Sequence, residues 1–254
     1  RLSLVGSEMC IRDRPQYTFS SPECRHSTLY MEKRAVEGEP TVFSETFEFT
    51  ANGEWHNLKP EDVQPYDTTT ALYKEYTAER EKHIVFSPRL RELAAKLTAG
   101  ETNPYLKTKR IFRWVNDNFP WASAREYSTI ENIPEYVLDN RHGDCGQVSL
   151  LFITLCRISG IPAHFQSGFM MHPRAWNLHD WAEVYFEGVG WVPADQSFGI
   201  PAFARNADEE YFFLGGIDSW RMIVNTDYGM PLQPEKQYPR SETVDFQRGE
   251  VEWE

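Results

Sequence analysis

The short stretch HGDCGQ, residues 142–147, places a cysteine between an aspartate and a glycine. The apolar run that follows predicts a buried helix, which begins at Asp144 or Cys145 and ends at Gly160, with Pro162 just beyond. The unpaired N–H groups and the dipole at a helix N-terminus favour a thiolate over a thiol. We therefore predict that Cys145 is a nucleophile with a lowered pKa.

The residues around Cys145 suit a substrate-binding position. Gly143 and Gly146 leave room for a substrate backbone, and Asp144 can cap the helix. A cysteine nucleophile is usually partnered by a histidine that a third polar group orients. The stretch LHDWAEVYFEGVGWVPADQSFG, residues 178–199, supplies a histidine and several acids for such a pair.

Three blocks of the sequence, in this order, resemble the transglutaminase-like superfamily, whose core shares its layout with papain-type cysteine proteases. They are RHGDCGQVSLLFITLCRISGIPAHFQSGF, HDWAEVYFEGVGWV and PADQSFG, and the preceding IFRWVNDNFPW is also similar. The resemblance implies that Cys145 is the nucleophile, His179 the base and Asp195 the residue that orients the imidazole. Trp121 lies where larger family members carry an oxyanion-stabilising tryptophan, and Tyr127 is the alternative.

A simple hairpin gives a geometric check on this triad. If EGVG is the turn, Phe186 pairs with Trp191, and Asp195 falls opposite Ala182, three residues from His179. At about 3.4 Å per residue the two side chains would be offset by about 10 Å along the strand. We therefore expect a bulge or a bent strand end to bring them together.

Composition narrows the class of protein. A chain of 254 residues with 41% hydrophobic content can bury one principal core. A net charge of -12 without a basic block argues against nucleic acid or an anionic membrane as a partner and favours cationic or neutral substrates. The family resemblance implies a peptide or protein substrate. No window approaches the roughly twenty apolar residues of a membrane span. The cysteines show no metal-site spacing, so we expect neither a metal nor another cofactor.

The remaining pattern predicts an α+β domain. Ser87 and Pro88 precede a helical spacing at residues 89–97, and a second helix is predicted at 107–119. Strand patterns follow the helix of Cys145. They cover residues 163–171, 180–187, 190–195 and 212–216. By resemblance we expect a papain-like, transglutaminase-core fold, in which a buried nucleophile helix packs on an antiparallel sheet, with a short β-rich appendage at the N-terminus.

The chain divides into four predicted parts. Alternating residues at 28–55 predict a β-hairpin, either the remnant of an upstream β-domain or strands docked on the core, and a polar connector follows. The parts are an adapter-like stretch (1–14), the hairpin with its connector (15–82), a transglutaminase-like core domain (83–235) and a tail (236–254).

The segment SLVGSEMCIRDR, residues 3–14, looks like a translated adapter sequence of the kind used to build sequencing libraries. We exclude it from fold reasoning, and we expect the natural start of the protein to lie upstream. The compartment therefore stays open, with export to the periplasm or the cell exterior as one alternative. The oligomeric state stays open as well.

Other cysteines and histidines are given structural interpretations. Cys156 sits in the middle of the apolar run and is predicted to be core. No function is assigned to Cys24, and Cys10 belongs to the adapter-like stretch. Three further histidines are also given structural roles, because their spacing matches no metal-site pattern. They are His142, His164 and His172.

The resemblance implies cysteine-dependent acyl transfer on peptide or carboxamide bonds through a thioester. Water as the acceptor would make the protein a peptidase, amidase or deamidase, and an amine would make it a cross-linking transglutaminase. We favour hydrolysis because the sequence resembles bacterial members without large accessory domains and has no DxDxDG calcium loop. A third alternative is a non-catalytic module that binds peptides in the same groove. The intact set of cysteine, histidine and aspartate argues against that module.

Overall fold

The structure is a computed structural model, which describes residues 16–19, 28–46, 48–123, 125–202, 204–229 and 232–235. The adapter-like stretch 1–14, Cys24 and the tail 236–254 lie outside these residues. None of the helices in the described ranges is long and apolar enough to cross a membrane.

The longer helices begin where capping residues permit. The Ser87 hydroxyl and the Asn103 side chain each accept a hydrogen bond from the backbone three residues on, and a proline follows each of them. The helices are α1 (Ala71–Tyr76), α2 (Pro88–Leu97), α3 (Pro104–Asn118), α4 (Ile133–Asn140), α5 (Cys145–Ile158) and α6 (Ala207–Glu210). Of these, α2 and α3 were predicted, whereas α4 was not.

The second half of the chain forms a four-stranded antiparallel sheet. Its strands are β4 (Ala163–Met170), β5 (Asn177–Phe186), β6 (Gly190–Ala194) and β8 (Arg221–Thr226). They lie in the order β6-β5-β4-β8. The first three were predicted, although β5 begins three residues earlier than expected, and β8 was missed.

The nucleophile helix α5 is buried against this sheet, as predicted. Every residue from Gly146 to Arg157 is buried, because the helix is apolar on most sides. Along β5, Ala182 and Val184 belong to the hydrophobic core. His179 occupies the alternate set of positions and therefore points to the opposite face of the sheet. The sheet thus separates an apolar face from a face that carries polar side chains.

The β5–β6 hairpin has a different register from the predicted one. Phe186 pairs with Gly190 rather than with Trp191. Continuing this register places Asp195 opposite Trp181, two residues from His179, instead of opposite Ala182. A shift of one residue moves a side chain to the other face of a sheet. The shorter turn therefore puts Asp195 and His179 on one face. Of the two devices that we expected, a bulge in this hairpin is not required, and Asp195 lies just beyond the end of β6.

The hairpin predicted at residues 28–55 is wrong. Its first strand, β2 (Leu29–Glu32), pairs with β1 (Gln16–Phe19), which precedes it in the chain. Its end, β3 (Glu54–Trp55), pairs with β7 (Gly216–Ile217) beyond the sheet. The strand predicted at 212–216 is reduced to β7. An alternating pattern marks strand-forming residues but does not choose their partner, and a lone two-stranded hairpin is marginal in water.

The connector before residue 83 packs on the core. Leu58 and Val63 are buried within the hydrophobic cluster, and the Tyr66 hydroxyl donates a hydrogen bond to the backbone oxygen of Tyr185 at 2.7 Å. The division into residues 1–14, 15–82, 83–235 and 236–254 stays a prediction. These contacts indicate that the connector contributes to the stability of the sheet.

Candidate active site

The start of α5 is held by a network of short-range contacts. The Asp144 carboxylate accepts a hydrogen bond from the Gln147 N–H at 3.0 Å, which is the cap that the sequence predicted. The same Asp144 oxygen accepts a hydrogen bond from the Tyr127 hydroxyl. Cys145 is therefore the first residue of a helix whose N-terminus is fixed on two sides.

Position 146 has no room for a side chain, because Tyr127 and Asp180 pack closely against it. A Cβ atom at this position would lie 2.5 Å from the Tyr127 hydroxyl and 2.8 Å from Oδ2 of Asp180. Any larger residue would displace one of these groups. The glycine after the cysteine thus lets Tyr127 and Asp180 close around the helix N-terminus, a role that the sequence alone did not indicate.

The Cys145 thiol is half-buried and donates a hydrogen bond to Oδ2 of Asp180, with Sγ and oxygen 3.6 Å apart. Burial and the charges of Asp180 and Asp144 raise the pKa of Cys145 well above its ordinary value, although a hydrogen bond from the Asp180 backbone lowers it. The predicted lowering of this pKa is therefore wrong. The effect of the helix dipole is outweighed by burial of the sulfur and by the carboxylates that the fold brings to it.

His179 and Asp195 form a buried hydrogen-bonded pair. Nε2 of His179 lies 2.8 Å from Oδ2 of Asp195, and the two residues are 5% and 0% exposed. The other carboxylate oxygen accepts hydrogen bonds from the Ser197 and Phe198 N–H groups. Asp195 therefore caps the turn that follows β6 and contacts the imidazole at the same time.

Arg221 is a third member of this cluster, and it was not among the residues predicted from the sequence. Its Nη1 donates a hydrogen bond to Oδ2 of Asp195 at 2.6 Å. Burial would raise the pKa of Asp195, but the charges and hydrogen bonds of His179 and Arg221 hold it well below its usual range. The only signal in the sequence is an arginine at the head of the apolar RMIV, three residues after Asp218.

Two aromatic rings border the imidazole. The Trp181 ring stacks on His179 with centroids 5.7 Å apart, and the Phe198 ring meets it edge-on at 5.5 Å. Trp181 is fully buried, whereas Phe198 is 38% exposed. Of the two rings that contact the imidazole, that of Phe198 is therefore the one that solvent, and hence a substrate, can reach.

The structure pairs two members of the predicted triad, His179 and Asp195, and joins the third, Cys145, to β5 through Asp180. Asp195 contacts His179 directly, and the Cys145 sulfur is fixed by Asp180, the residue next to His179 in β5. Asp195 is also close enough for its charge to raise the pKa of Cys145. The N-terminus of α5 therefore meets the start of β5 at Asp180.

The two oxyanion candidates both lie beside the start of α5. Trp121 forms a parallel bridge with Gly143 and is 58% exposed. The Tyr127 hydroxyl donates a hydrogen bond to the Asp144 carboxylate. Trp121 thus keeps an accessible ring near the cysteine, whereas the single O–H of Tyr127 is engaged within the protein.

Within the part of the chain that the structure describes, no group of three or more His, Cys, Asp or Glu side chains could hold a metal ion. Cys145 and Cys156 are both free thiols.

Comparison with known proteins finds a family model that matches part of the chain. Residues 91–196 match the model of the transglutaminase-like superfamily, and all three triad residues fall inside this segment. The uncharacterised protein YebA of Bacillus subtilis is 27% identical over 140 residues, which cover 47% of this chain and 19% of YebA.

Two solved structures are similar to this one. A candidate cysteine protease from Cytophaga hutchinsonii matches with a TM-score of 0.50 and 19% identity, covering 68% of this chain and 53% of that one. The periplasmic domain of TgpA from Pseudomonas aeruginosa matches with a TM-score of 0.42 and 19% identity, covering 51% and 48%. At such identity the likeness to the first structure concerns the fold alone, which is papain-like.

Proposed function

Since the segment 91–196 is a transglutaminase-like core domain, we propose that the protein performs cysteine-dependent acyl transfer on peptide or carboxamide bonds. The observation that carries this proposal is the buried His179–Asp195 hydrogen bond, which lies beside the N-terminus of the helix that presents Cys145. In this proposal Cys145 is the nucleophile, His179 the general base and Asp195 the group that orients the imidazole.

The proposed reaction has two halves. The ring nitrogen Nδ1 of His179 accepts the thiol proton while the Cys145 sulfur attacks the substrate carbonyl carbon. The tetrahedral intermediate then collapses, the C–N bond breaks, and the imidazolium gives its proton to the leaving amine, which produces a thioester. Water, deprotonated by His179, attacks the thioester and releases the acid and the free thiol.

Asp195 determines which nitrogen acts. Because the Asp195 carboxylate is ionised and accepts from Nε2, the proton of neutral His179 resides on Nε2. Nδ1 is then the nitrogen with a lone pair. The carboxylate also stabilises the imidazolium that forms during each half-reaction.

The raised pKa of Cys145 favours a neutral thiol in the resting protein. The proton would therefore move to His179 as the sulfur attacks, rather than in a preformed ion pair. The oxyanion would be stabilised by backbone N–H groups at the start of α5, which a helix N-terminus leaves unpaired, and by Trp121. Tyr127 is the less suited donor because its proton is held by Asp144.

We propose water as the acceptor, with a primary amine as the alternative. A decisive experiment incubates the purified protein with peptide libraries, with and without a fluorescent primary amine. Cleaved or deamidated peptides would indicate hydrolysis, whereas peptides carrying the amine would indicate cross-linking activity. Cys145→Ala should lose either activity, and Cys156→Ala, the matched control in the same helix, should keep it.

Alkylation separates an enzyme from a binding module. Iodoacetamide should modify Cys145 in a reaction that depends on His179, while Cys156 is fully buried and should resist modification in the folded protein. Turnover retained in Cys145→Ala would overturn the proposal. Peptide binding without turnover, together with a His179-independent thiol, would support the non-catalytic module instead.

A further inference from the structure

Arg221 is a buried cation that reaches the candidate triad from the far edge of the sheet. It is the first residue of β8, it pairs with Met170 at the end of β4, and it is 3% exposed. A buried guanidinium is costly unless charge and hydrogen bonds compensate for its desolvation. The groups around Arg221 therefore indicate what its presence accomplishes.

Two carboxylates and two rings surround the guanidinium. Nε and Nη2 donate hydrogen bonds to Oδ2 of Asp218 at 3.1 Å and 2.9 Å, and Nη1 donates to Asp195 at 2.6 Å. The planar group also lies 4.5 Å from the Phe198 ring centroid and 5.5 Å from that of Trp181. The guanidinium is thus hydrogen-bonded to Asp218 through Nε and Nη2, and its Nη1 points to Asp195.

Asp195 is saturated by these contacts. One carboxylate oxygen accepts from both His179 and Arg221, and the other accepts from the Ser197 and Phe198 N–H groups. Four donors from three parts of the chain therefore fix the rotation of this carboxylate. Removing the arginine would leave Oδ2 dependent on Nε2 of His179, and the carboxylate could turn about its bond.

We propose that Arg221 is a positioning residue that holds Asp195 ionised and correctly rotated, so that His179 keeps its proton on Nε2. This inference rests on the proposed function, because it concerns the same site. In this proposal Arg221 acts through Asp195, and Asp218 holds the arginine in place. It is distinct from the catalytic residues because the structure gives it no contact with the reacting sulfur.

The charges around Asp195 support this role. The Asp195 carboxylate contacts His179 of β5 and Arg221 of β8, and its charge also acts on the Cys145 thiol of α5. Asp218 balances the charge of the arginine. Asp218, Arg221 and Asp195 together carry a net charge of −1. The developing imidazolium therefore still meets a net negative group, while the arginine prevents Asp195 from taking its proton.

The test compares Arg221→Gln and Arg221→Lys with Arg157→Gln. Arg157 is a matched control because it is also a buried arginine, and it donates to the backbone oxygens of Ala163 and Ala78 away from the triad. Arg221→Gln should lower kcat by about tenfold with little change in KM. Arg221→Lys should recover part of the loss, because lysine keeps the charge but cannot bond both carboxylates as a fork.

Two further readouts would not follow from a merely structural role. In ¹⁵N-histidine NMR spectra, the Nε2–H tautomer of His179 should dominate in the wild type and be mixed with the other tautomer in Arg221→Gln. In ¹³C spectra, the Asp195 carboxyl should titrate at a higher pH in that variant. The direction follows because the positive charge of Arg221 lowers the pKa of Asp195, so its loss raises that pKa.

The outcome separates this inference from the proposed function. If Arg221→Gln and Arg221→Lys both keep the wild-type kcat, tautomer and carboxyl titration, the inference is overturned while the acyl-transfer proposal stands. If wild-type protein shows a His179-independent thiol and no turnover, the proposed function fails. The tautomer and carboxyl readouts then still decide the positioning role. If Arg221→Gln does not fold, Arg221→Lys alone carries all three measurements.

Discussion

The polar face of the sheet carries two histidine–carboxylate pairs that look alike in isolation. In the His179 pair, His179 Nε2 lies 2.8 Å from the Asp195 carboxylate, and in the His164 pair, His164 Nε2 lies 3.0 Å from that of Glu183. His164 faces Glu183 directly across β4 and β5, and Glu183 is four residues from His179. At about 3.4 Å per residue the pairs are about 14 Å apart.

The surroundings of the two pairs differ. The rings of Tyr76 and Trp191 pack on His164, at centroid distances of 5.4 Å and 4.3 Å. The Glu183 side chain is 20% exposed. The His179 pair instead has a fully buried carboxylate, an arginine on that carboxylate and the cysteine helix beside it. A buried histidine–carboxylate pair is therefore not sufficient for the proposed chemistry, and the His179 pair differs from the His164 pair in lying beside the helix of the proposed nucleophile, Cys145.

The largest expected contrast is between His179→Gln and His164→Gln. Glutamine can donate a hydrogen bond to either carboxylate but cannot accept a thiol proton as imidazole does. We expect His179→Gln to lower kcat/KM by at least about 1,000-fold, because the general base is lost. His164→Gln should keep activity near that of the wild type and lower the melting temperature. Peptide turnover and thermal unfolding measure both effects.

This contrast has a clear contrary result. If His164→Gln lost activity as strongly as His179→Gln while both variants remained folded, the two pairs would share one function. The assignment of the base to His179 would then be wrong.

The next contrast exchanges the carboxylates for amides. Asp195→Asn keeps the shape but presents an N–H group to the ring, so kcat should fall by about tenfold to 100-fold, with a milder change in KM. The fall should be smaller than for Cys145→Ala. Glu183→Gln, the matched change in the His164 pair, should leave kcat unchanged. Wild-type kcat/KM in Asp195→Asn and Asp195→Ala across the pH range would reduce Asp195 to a turn cap.

A smaller effect is expected from Asp180→Asn. The negative charge of Asp180 raises the pKa of Cys145, so its removal should lower that pKa and increase the thiolate fraction at neutral pH. Alkylation of Cys145 at pH 7 should therefore become about threefold to tenfold faster. Asp139→Asn removes an exposed charge on α4 and serves as the control. An unchanged or slower alkylation rate in Asp180→Asn would contradict the thiol–carboxylate contact.

The smallest contrast concerns the ring at the edge of each imidazole. Phe198→Ala should raise KM a few-fold, because Phe198 is partly exposed beside His179, where a substrate would contact it. Tyr76→Ala should lower the melting temperature without changing KM, because the Tyr76 ring packs on the His164 pair and Trp191, away from Cys145. Steady-state kinetics and calorimetry test both variants. Equal changes in KM would remove the distinction between a substrate wall and a structural ring.

The sequence predicted most of the helices that position the site, because helix caps and helical spacing are local features of the chain. Caps, prolines and helical spacing indicated α2, α3 and the bounds of α5 within two residues. Block order and residue types also selected Cys145, His179 and Asp195 as the candidate triad. The prediction of which strands pair was wrong. Residues 28–55 have a strand pattern, but pairing with β1 and β7 depends on chain segments that lie before and far beyond them.

Within the site, the sequence by itself determined the reacting residue types, and the tertiary structure decided their state. A helix N-terminus predicted an easily ionised thiol, but burial of the sulfur and the charge of Asp180, which β5 brings to it, raise the pKa of Cys145. One residue of hairpin register decided that Asp195 shares a face with His179. Arg221 reaches Asp195 only because β8 joins the sheet. Electrostatics and register depend on distances between segments, which local patterns do not contain.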